Sequence, residues 1–241
     1  MSKEQPQTHY TLMSDRPGGK LAKRPLQFIW LVDYSGSMAG NKIESLNYAI
    51  REVIPEMQRV ADENPNAEIL VRAIKFSSGA QWHVETPTDI HNFQWPELVA
   101  SEVTDMGAAL KLAAEALSME RMPARGLPPV LVLLSDGLPT DDFDEGLKAL
   151  LAEPWGQKAI RISIAIGDGD INTLQKFIGN DEVKVLTADN AQDLVNKIKW
   201  ASTVPLKAAS NPASRTTADT GNTPLPPAPE DTPPINAADV F

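Results

Sequence analysis

The sequence predicts an α/β fold: a doubly wound, mostly parallel six-stranded sheet with one antiparallel edge strand and helices on both faces. Three observations carry this. Short apolar runs alternate with segments of helical periodicity from residue 26 to residue 203. Residues 129–134 form an apolar run without the polar alternation of a strand that has one wet face, which marks a central strand covered on both sides. One pair of predicted strands, 69–76 and 82–85, is separated by too few residues for a crossover helix, so it must be an antiparallel hairpin at an edge.

Residues 1–25 carry Lys3, Arg16, Lys20, Lys23 and Arg24 against Glu4 and Asp15, include the turn signal Pro17-Gly18-Gly19, and read as a flexible basic arm. The first strand, 28–32, is followed by a helix whose Ile43, Leu46, Ile50, Val53, Met57 and Val60 recur at spacings of three and four. Pro55 conflicts with that face. It removes an intrahelical hydrogen bond and clashes with the preceding turn, so a kink or break near Ile54 is expected. The hairpin strands turn at Ser78-Gly79, and a loop with His91, Asn92, Trp95 and Pro96 leads to Thr104-Asp105-Met106-Gly107 and a helix over 108–119. Strand 129–134 is followed by helix 142–151, strand 160–166, helix 170–178 capped by Asp170, strand 183–186 and helix 191–200. The domain therefore spans 26–203. Residues 204–241 shift to proline, threonine, alanine and asparagine with few large apolar side chains, which cannot offset the entropy of ordering, so they read as a disordered Pro/Thr-rich tail. Thr216, Thr217, Thr220, Thr223 and Thr232 stand among its prolines as candidate phosphoacceptors.

Composition narrows the function. Hydrophobic residues make up 42% of 241, enough for a substantial core. The net charge of -10 repels phosphate backbones and argues against nucleic acid as the main ligand. There is no cysteine, which removes disulfides, thiolate metal sites and cysteine nucleophiles, and fits a reducing compartment. The opening residues contain no apolar stretch of signal-peptide length, and no run approaches the roughly 18 apolar residues of a membrane helix. A cytoplasmic protein without a membrane partner is expected.

The chemistry concentrates at the carboxyl ends of strands, where open α/β sheets place their ligands. Asp33-Tyr34-Ser35-Gly36-Ser37 follows the first strand, Asp136-Gly137 follows the fourth, and Thr104 precedes its helix. If the first and fourth strands are neighbours where the strand order reverses, Asp33 and Asp136 face one another across the crevice. Carboxylates and hydroxyls are oxygen ligands, which suit a hard cation such as Mg2+ and suit zinc or copper poorly.

These three motifs, in this order, resemble the metal-ion-dependent adhesion site of the von Willebrand factor A domain family, over roughly residues 26–200. The resemblance implies that Ser35 and Ser37 ligate the metal directly, that Thr104 binds directly or through water, and that Asp33 and Asp136 bind directly or hold its waters. Mg2+, or Mn2+ in its place, would then keep an open position for an Asp or Glu of a protein partner. The runs 31–38, 104–110 and 134–141 look most like bacterial TerY-like proteins of tellurium-resistance and stress operons. That likeness implies an adaptor beside a protein kinase and a metal-dependent protein phosphatase. Asp105 departs from the small or proline residue of that pattern and leaves open a second cation or a different loop geometry.

Rival readings fare less well. A helix cap alone would explain Asp33 and the serines but not Thr104 and Asp136. A phosphatase with Asp33 as nucleophile would want an acid two residues on, where Ser35 stands. Gly36, Gly40 and Lys42 miss the phosphate-loop spacing, and Asp168, Asp170 and Asn172 lack a calcium loop's glycine and bidentate Glu. His9, His83 and His91 show no ligand spacing, while Trp82 and Trp95 read as packing residues. An accessory subunit of an AAA-type ATPase is a second role of binding type that the sequence leaves open. No enzymatic activity is expected.

Overall fold

The structure is a computed structural model that describes residues 23–101, 103–210, 225–233 and 240–241. The six strands are β1 (Arg24–Asp33), β2 (Ala67–Ser77), β3 (Gly79–Asp89), β4 (Val130–Ser135), β5 (Ile160–Ile166) and β6 (Leu186–Ala188). The helices are α1 (Asn41–Asp62), α2 (Met106–Ala116), α3 (Phe143–Ala152), α4 (Pro154–Lys158), α5 (Ile171–Ile178) and α6 (Ala191–Ser210). The sheet runs β3-β2-β1-β4-β5-β6, all parallel except β3, which pairs antiparallel with β2 at the edge.

Alternate residues of the central strands feed two separate cores. Leu26, Phe28, Trp30 and Val32 of β1 pack with α1 and α6, whereas Ile29 and Leu31 pack with α2, α3 and α5. All are fully buried, and a side chain of this size contributes about 1.5–3 kcal/mol on burial, which is why β1 tolerates no polar alternation. The strand order reverses between β1 and β4, since β1 leads toward β2 on one side and β4 on the other.

Three expectations are corrected. First, of the kink or break expected near Ile54, no break occurs: α1 runs on through Pro55, which lies on the exposed face, so the carbonyl it leaves unbonded is on the solvent side. Second, the last strand is Leu186–Ala188 rather than 183–186. The Gln175 side chain takes up the Val183 carbonyl (3.0 Å) and the Val185 N–H (3.3 Å), so these backbone groups need no ladder. Third, the tail does not begin at 204. Helix α6 runs to Ser210 with Pro205, Leu206 and Ala209 buried, because this face lies against α1, where Asn64 bonds Ser210 and Lys199 pairs with Glu56 at 2.7 Å. Residues 225–233 also lie on the domain, with Leu225 packed against the larger core. The basic arm up to residue 22 and Thr216, Thr217, Thr220 and Thr223 lie outside the described residues.

Candidate metal centre

At the carboxyl end of β1 the chain leaves the sheet at Asp33 and enters one turn of 3-10 helix, Gly36–Met38. Met38 is fully buried and pins this turn to the core. Gly40 then opens α1 at a φ of 78°, a left-handed conformation that favours glycine and aims α1 back across the sheet. The loop thus presents Ser35 and Ser37 on the rim above β1 and β4.

Asp33 is fully buried and both of its oxygens are engaged. Oδ1 accepts the Ser35 N–H at 2.8 Å and Oδ2 accepts the Ser135 hydroxyl at 2.5 Å. Burial pushes its carboxyl above the ordinary range; the bonds from Ser135 and Ser35 oppose that rise and the charge of Asp136 adds to it. A divalent cation on the rim would reverse the balance by favouring the carboxylate. Ser35 Oγ lies 3.0 Å from Ser37 Oγ, and the Ser37 hydroxyl donates to Asp136 Oδ1 at 2.7 Å. Four of the five candidate residues are therefore one connected network: Asp33, Ser35, Ser37 and Asp136.

Thr104 completes the group from a third element. A side-chain carbon built on Gly137 would lie 3.8 Å from Thr104 Oγ1 and 3.9 Å from Ser37 Oγ, so both hydroxyls border the same small space, kept open by that glycine. The Thr104 loop is fastened to the Asp136 loop in both directions, through Thr140 N–H to Thr104 carbonyl at 2.8 Å and Thr104 N–H to Thr140 Oγ1 at 3.2 Å. All five predicted ligands are thus brought to one rim.

Several supporting residues went unassigned in the sequence. Lys42, in the first turn of α1, donates to Asp136 Oδ2 at 2.7 Å and supplies that carboxylate with a positive charge. Asp141 takes the place of a cap for α2, accepting the N–H groups of Gly107 (2.8 Å) and Ala108 (2.7 Å), which fixes the helix that follows Thr104. Asp105 forms a brace, accepting the Gly79 N–H at 2.6 Å and the Thr140 hydroxyl at 2.9 Å, and so ties the hairpin turn to the rim. Both of its oxygens thus serve the altered loop geometry. Asp136 also differs from a freely solvated loop residue, since its side chain is wholly buried beneath Lys42 and Ser37. The local signal for Asp141 was its place one residue after Thr140; Lys42 had none beyond lying near the motif.

Among the described residues no three His, Cys, Asp or Glu side chains converge on a point, so a metal here depends on hydroxyls as much as on carboxylates. Such an oxygen-only set fits a hard divalent cation. Val103, next to Thr104 in the chain, and Leu138, two residues after Asp136, are exposed apolar side chains.

This combination is a doubly wound α/β domain with a hydroxyl- and carboxylate-lined rim at its switch point. The model of the von Willebrand factor type A domain matches residues 29–199, and the chain belongs to that family. Solved structures agree on the fold. A von Willebrand factor type A protein from Catenulispora acidiphila superposes with a TM-score of 0.58 at 16% identity, covering 78% of this chain and 43% of that one. The ArnB paralog VWA2 from Sulfolobus acidocaldarius gives 0.53 at 16% identity, covering 73% and 45%. Proximal thread matrix protein 1 from the mussel byssus, in a form with a zinc-occupied MIDAS motif, gives 0.56 at 19% identity, covering 76% and 48%. The chain thus spans less than half the length of these proteins. No curated protein sequence matches it. Among the described residues no helix is long and apolar enough to cross a membrane.

Proposed function

We propose that this chain is a Mg2+-dependent protein-binding adaptor, with Mn2+ able to replace Mg2+, in which Ser35, Ser37, Thr104, Asp33 and Asp136 hold the ion and an Asp or Glu of the partner completes its shell. The observation that carries this reading is the chain of contacts from Asp33 through Ser35 and Ser37 to Asp136, closed by Thr104 across the space beside Gly137. Mg2+ keeps several waters and prefers near-octahedral oxygen geometry, so a site with few protein oxygens leaves room for an outside carboxylate. The exposed Val103 and Leu138, close in the chain to Thr104 and Asp136, offer a partner apolar surface.

The reading is non-enzymatic. An aspartate nucleophile needs a free oxygen aimed at the substrate, whereas Asp33 has one oxygen on a backbone N–H and the other on Ser135, with the residue fully buried. The setting we infer, a bacterial cytoplasmic stress or tellurite-resistance complex with a protein kinase and a metal-dependent protein phosphatase, rests on the likeness of residues 31–38, 104–110 and 134–141 to TerY-like proteins. The test is affinity capture with the wild-type chain beside a Ser35→Ala, Ser37→Ala variant, each in Mg2+ and in EDTA. A kinase or phosphatase retained only by wild type in Mg2+ is the expected result. Equal capture in all four arms would refute the metal-dependent adaptor, and turnover of phosphate esters abolished by Asp33→Asn would refute the non-enzymatic reading.

A further inference from the structure

A separate site lies along α6. Asp193, Asn196, Lys197 and Trp200 recur at spacings of three and four and form one helical stripe, while Leu194, Ile198 and Ala201 turn into the core. Residues 225–233, Leu-Pro-Pro-Ala-Pro-Glu-Asp-Thr-Pro, run along that stripe. The Trp200 indole N–H donates to the Pro227 carbonyl at 3.1 Å. Lys197 Nζ donates to the Pro229 carbonyl at 2.5 Å and to Asp231 Oδ1 at 3.0 Å. Thr232 is held on three sides: its N–H donates to Asp193 Oδ1 at 3.2 Å, its hydroxyl accepts from Asn196 at 3.1 Å, and its carbonyl accepts from Asn190 at 2.9 Å. A cavity of about 370 Å3 remains between this segment, residues 182–187 and α6.

The charges on the stripe are matched by the segment that covers them. The side chains of Lys197 and Asp193 are each only 3% exposed, yet their own contact is long, at 3.9 Å. The two close acceptors of the Lys197 ammonium both belong to residues 225–233. Once covered, the ammonium is kept satisfied by a carbonyl and, two residues later, a carboxylate, so the covered state favours a peptide with acceptors at that spacing. Proline suits the remaining positions. It has no N–H to desolvate, and its fixed φ lowers the entropy lost on docking. Aromatic-lined grooves that read proline-rich segments work in this way.

We propose that this stripe of α6 is a recognition groove for acidic proline-rich peptides of the pattern Pro-x-Pro-x-Asp-Thr. The chain's own residues 225–233 fill it in cis, and a partner protein carrying a peptide of the same chemistry fills it by displacing them. Lys197 selects the acid at the position of Asp231, and Asp193 rejects negative charge at the position of Thr232. The covalent connection holds the cis segment at an effective concentration on the order of millimolar, so the groove opens only to a partner that is abundant or multivalent. This inference is independent of the metal site.

The test uses the full chain labelled with 15N and reads the Trp200 indole resonance, assigned by Trp200→Phe. The probe is a synthetic peptide of residues 225–233. In an Asp231→Arg, Thr232→Glu variant, like charges face Lys197 and Asp193, so the indole should move to an unbonded position and return as peptide is added. Wild type should need at least tenfold more peptide for any change. A peptide of scrambled order, or one with Asn at the position of Asp231, should bind at least fivefold more weakly. Unchanged ellipticity establishes that the variant is folded; if it is not, Pro227→Ala, Pro229→Ala serves in its place. An indole that does not respond to either tail variant, a released groove that ignores the peptide, or equal binding of the scrambled peptide would each overturn the proposal.

Discussion

Asp136 and Lys197 are both charge-bearing side chains held out of water, and the two regions around them answer the problem of pairing in different ways. At the rim, Asp136 is matched by short neighbours on rigid elements: Ser37 from a pinned 3-10 turn and Lys42 from the first turn of α1. On α6, Lys197 is matched by a segment more than thirty residues further along the chain that touches the domain chiefly through hydrogen bonds and one apolar residue, Leu225. The rim is preorganised and, on the proposed reading, would exchange a small ion, whereas the groove would exchange a length of backbone. A site made of short side chains on strand ends keeps its shape when its ligand leaves; a site made of long side chains on one helix face needs its ligand to stay satisfied.

The sharpest way to break this contrast is Lys197→Met. It removes the ammonium that lies near Asp193 and bonds Pro229 and Asp231, and should lower stability by about 1–2 kcal/mol at neutral pH. Burial already pushes the Asp193 carboxyl up, so in the folded state it takes its proton at a higher pH than in the unfolded chain. Its contribution is therefore most favourable at low pH and is lost as pH rises through the folded value. The deficit of the variant should accordingly shrink at pH 4, as urea unfolding at the two pH values would show. An equal deficit at both would mean that the loss comes from packing alone.

Asp136→Ala ranks next and probes the other region. It should weaken divalent-cation binding by roughly 100-fold, as loss of a metal ligand commonly does, while changing stability little, because Lys42 is partly exposed and can turn to water. Calorimetric titration with Mn2+, beside thermal melts, checks both halves. Lys42→Met should act in the opposite sense and raise the affinity for Mn2+ roughly twofold to fivefold, since the ammonium and the ion compete for one carboxylate. Affinity unchanged in this variant would show that Lys42 moves aside without cost. The smallest effect belongs to an exposed pair away from both regions. His91 is raised above the ordinary imidazole range mainly by its bond to Asp62, so Asp62→Asn should lower its titration midpoint in an NMR titration with no measurable change in Mn2+ or peptide binding.

The same contrast explains what could be read in the sequence. The rim was legible because its ligands sit in short motifs at strand ends, and unalternated apolar runs such as residues 129–134 locate those ends. Asp170 as a cap and the hairpin edge were legible for the same local reasons. The groove was not. Its halves lie far apart, its peptide has the composition of a disordered tail, and Pro205 hides the continuation of α6, although the stripe of Asp193, Lys197 and Trp200 has helical spacing. Lys42 and Asp141 escaped for another reason: each acts on a carboxylate or a helix start that only the assembled sheet brings near. Pro55 misled because its cost depends on which face of the helix it occupies, and the exposed face is the cheaper one.

The bond from the Ser135 hydroxyl to Asp33 joins residues 102 positions apart and crosses the seam between β1 and β4. Parallel neighbours of such separation are slow to meet, because loop closure must precede any reward from pairing. No early collapsed form that lacks this seam can present Asp33, Ser37 and Asp136 together. Affinity for the divalent ion should therefore rise only after this seam closes in refolding, so that a partner requiring the ion would discriminate finished molecules from nascent ones.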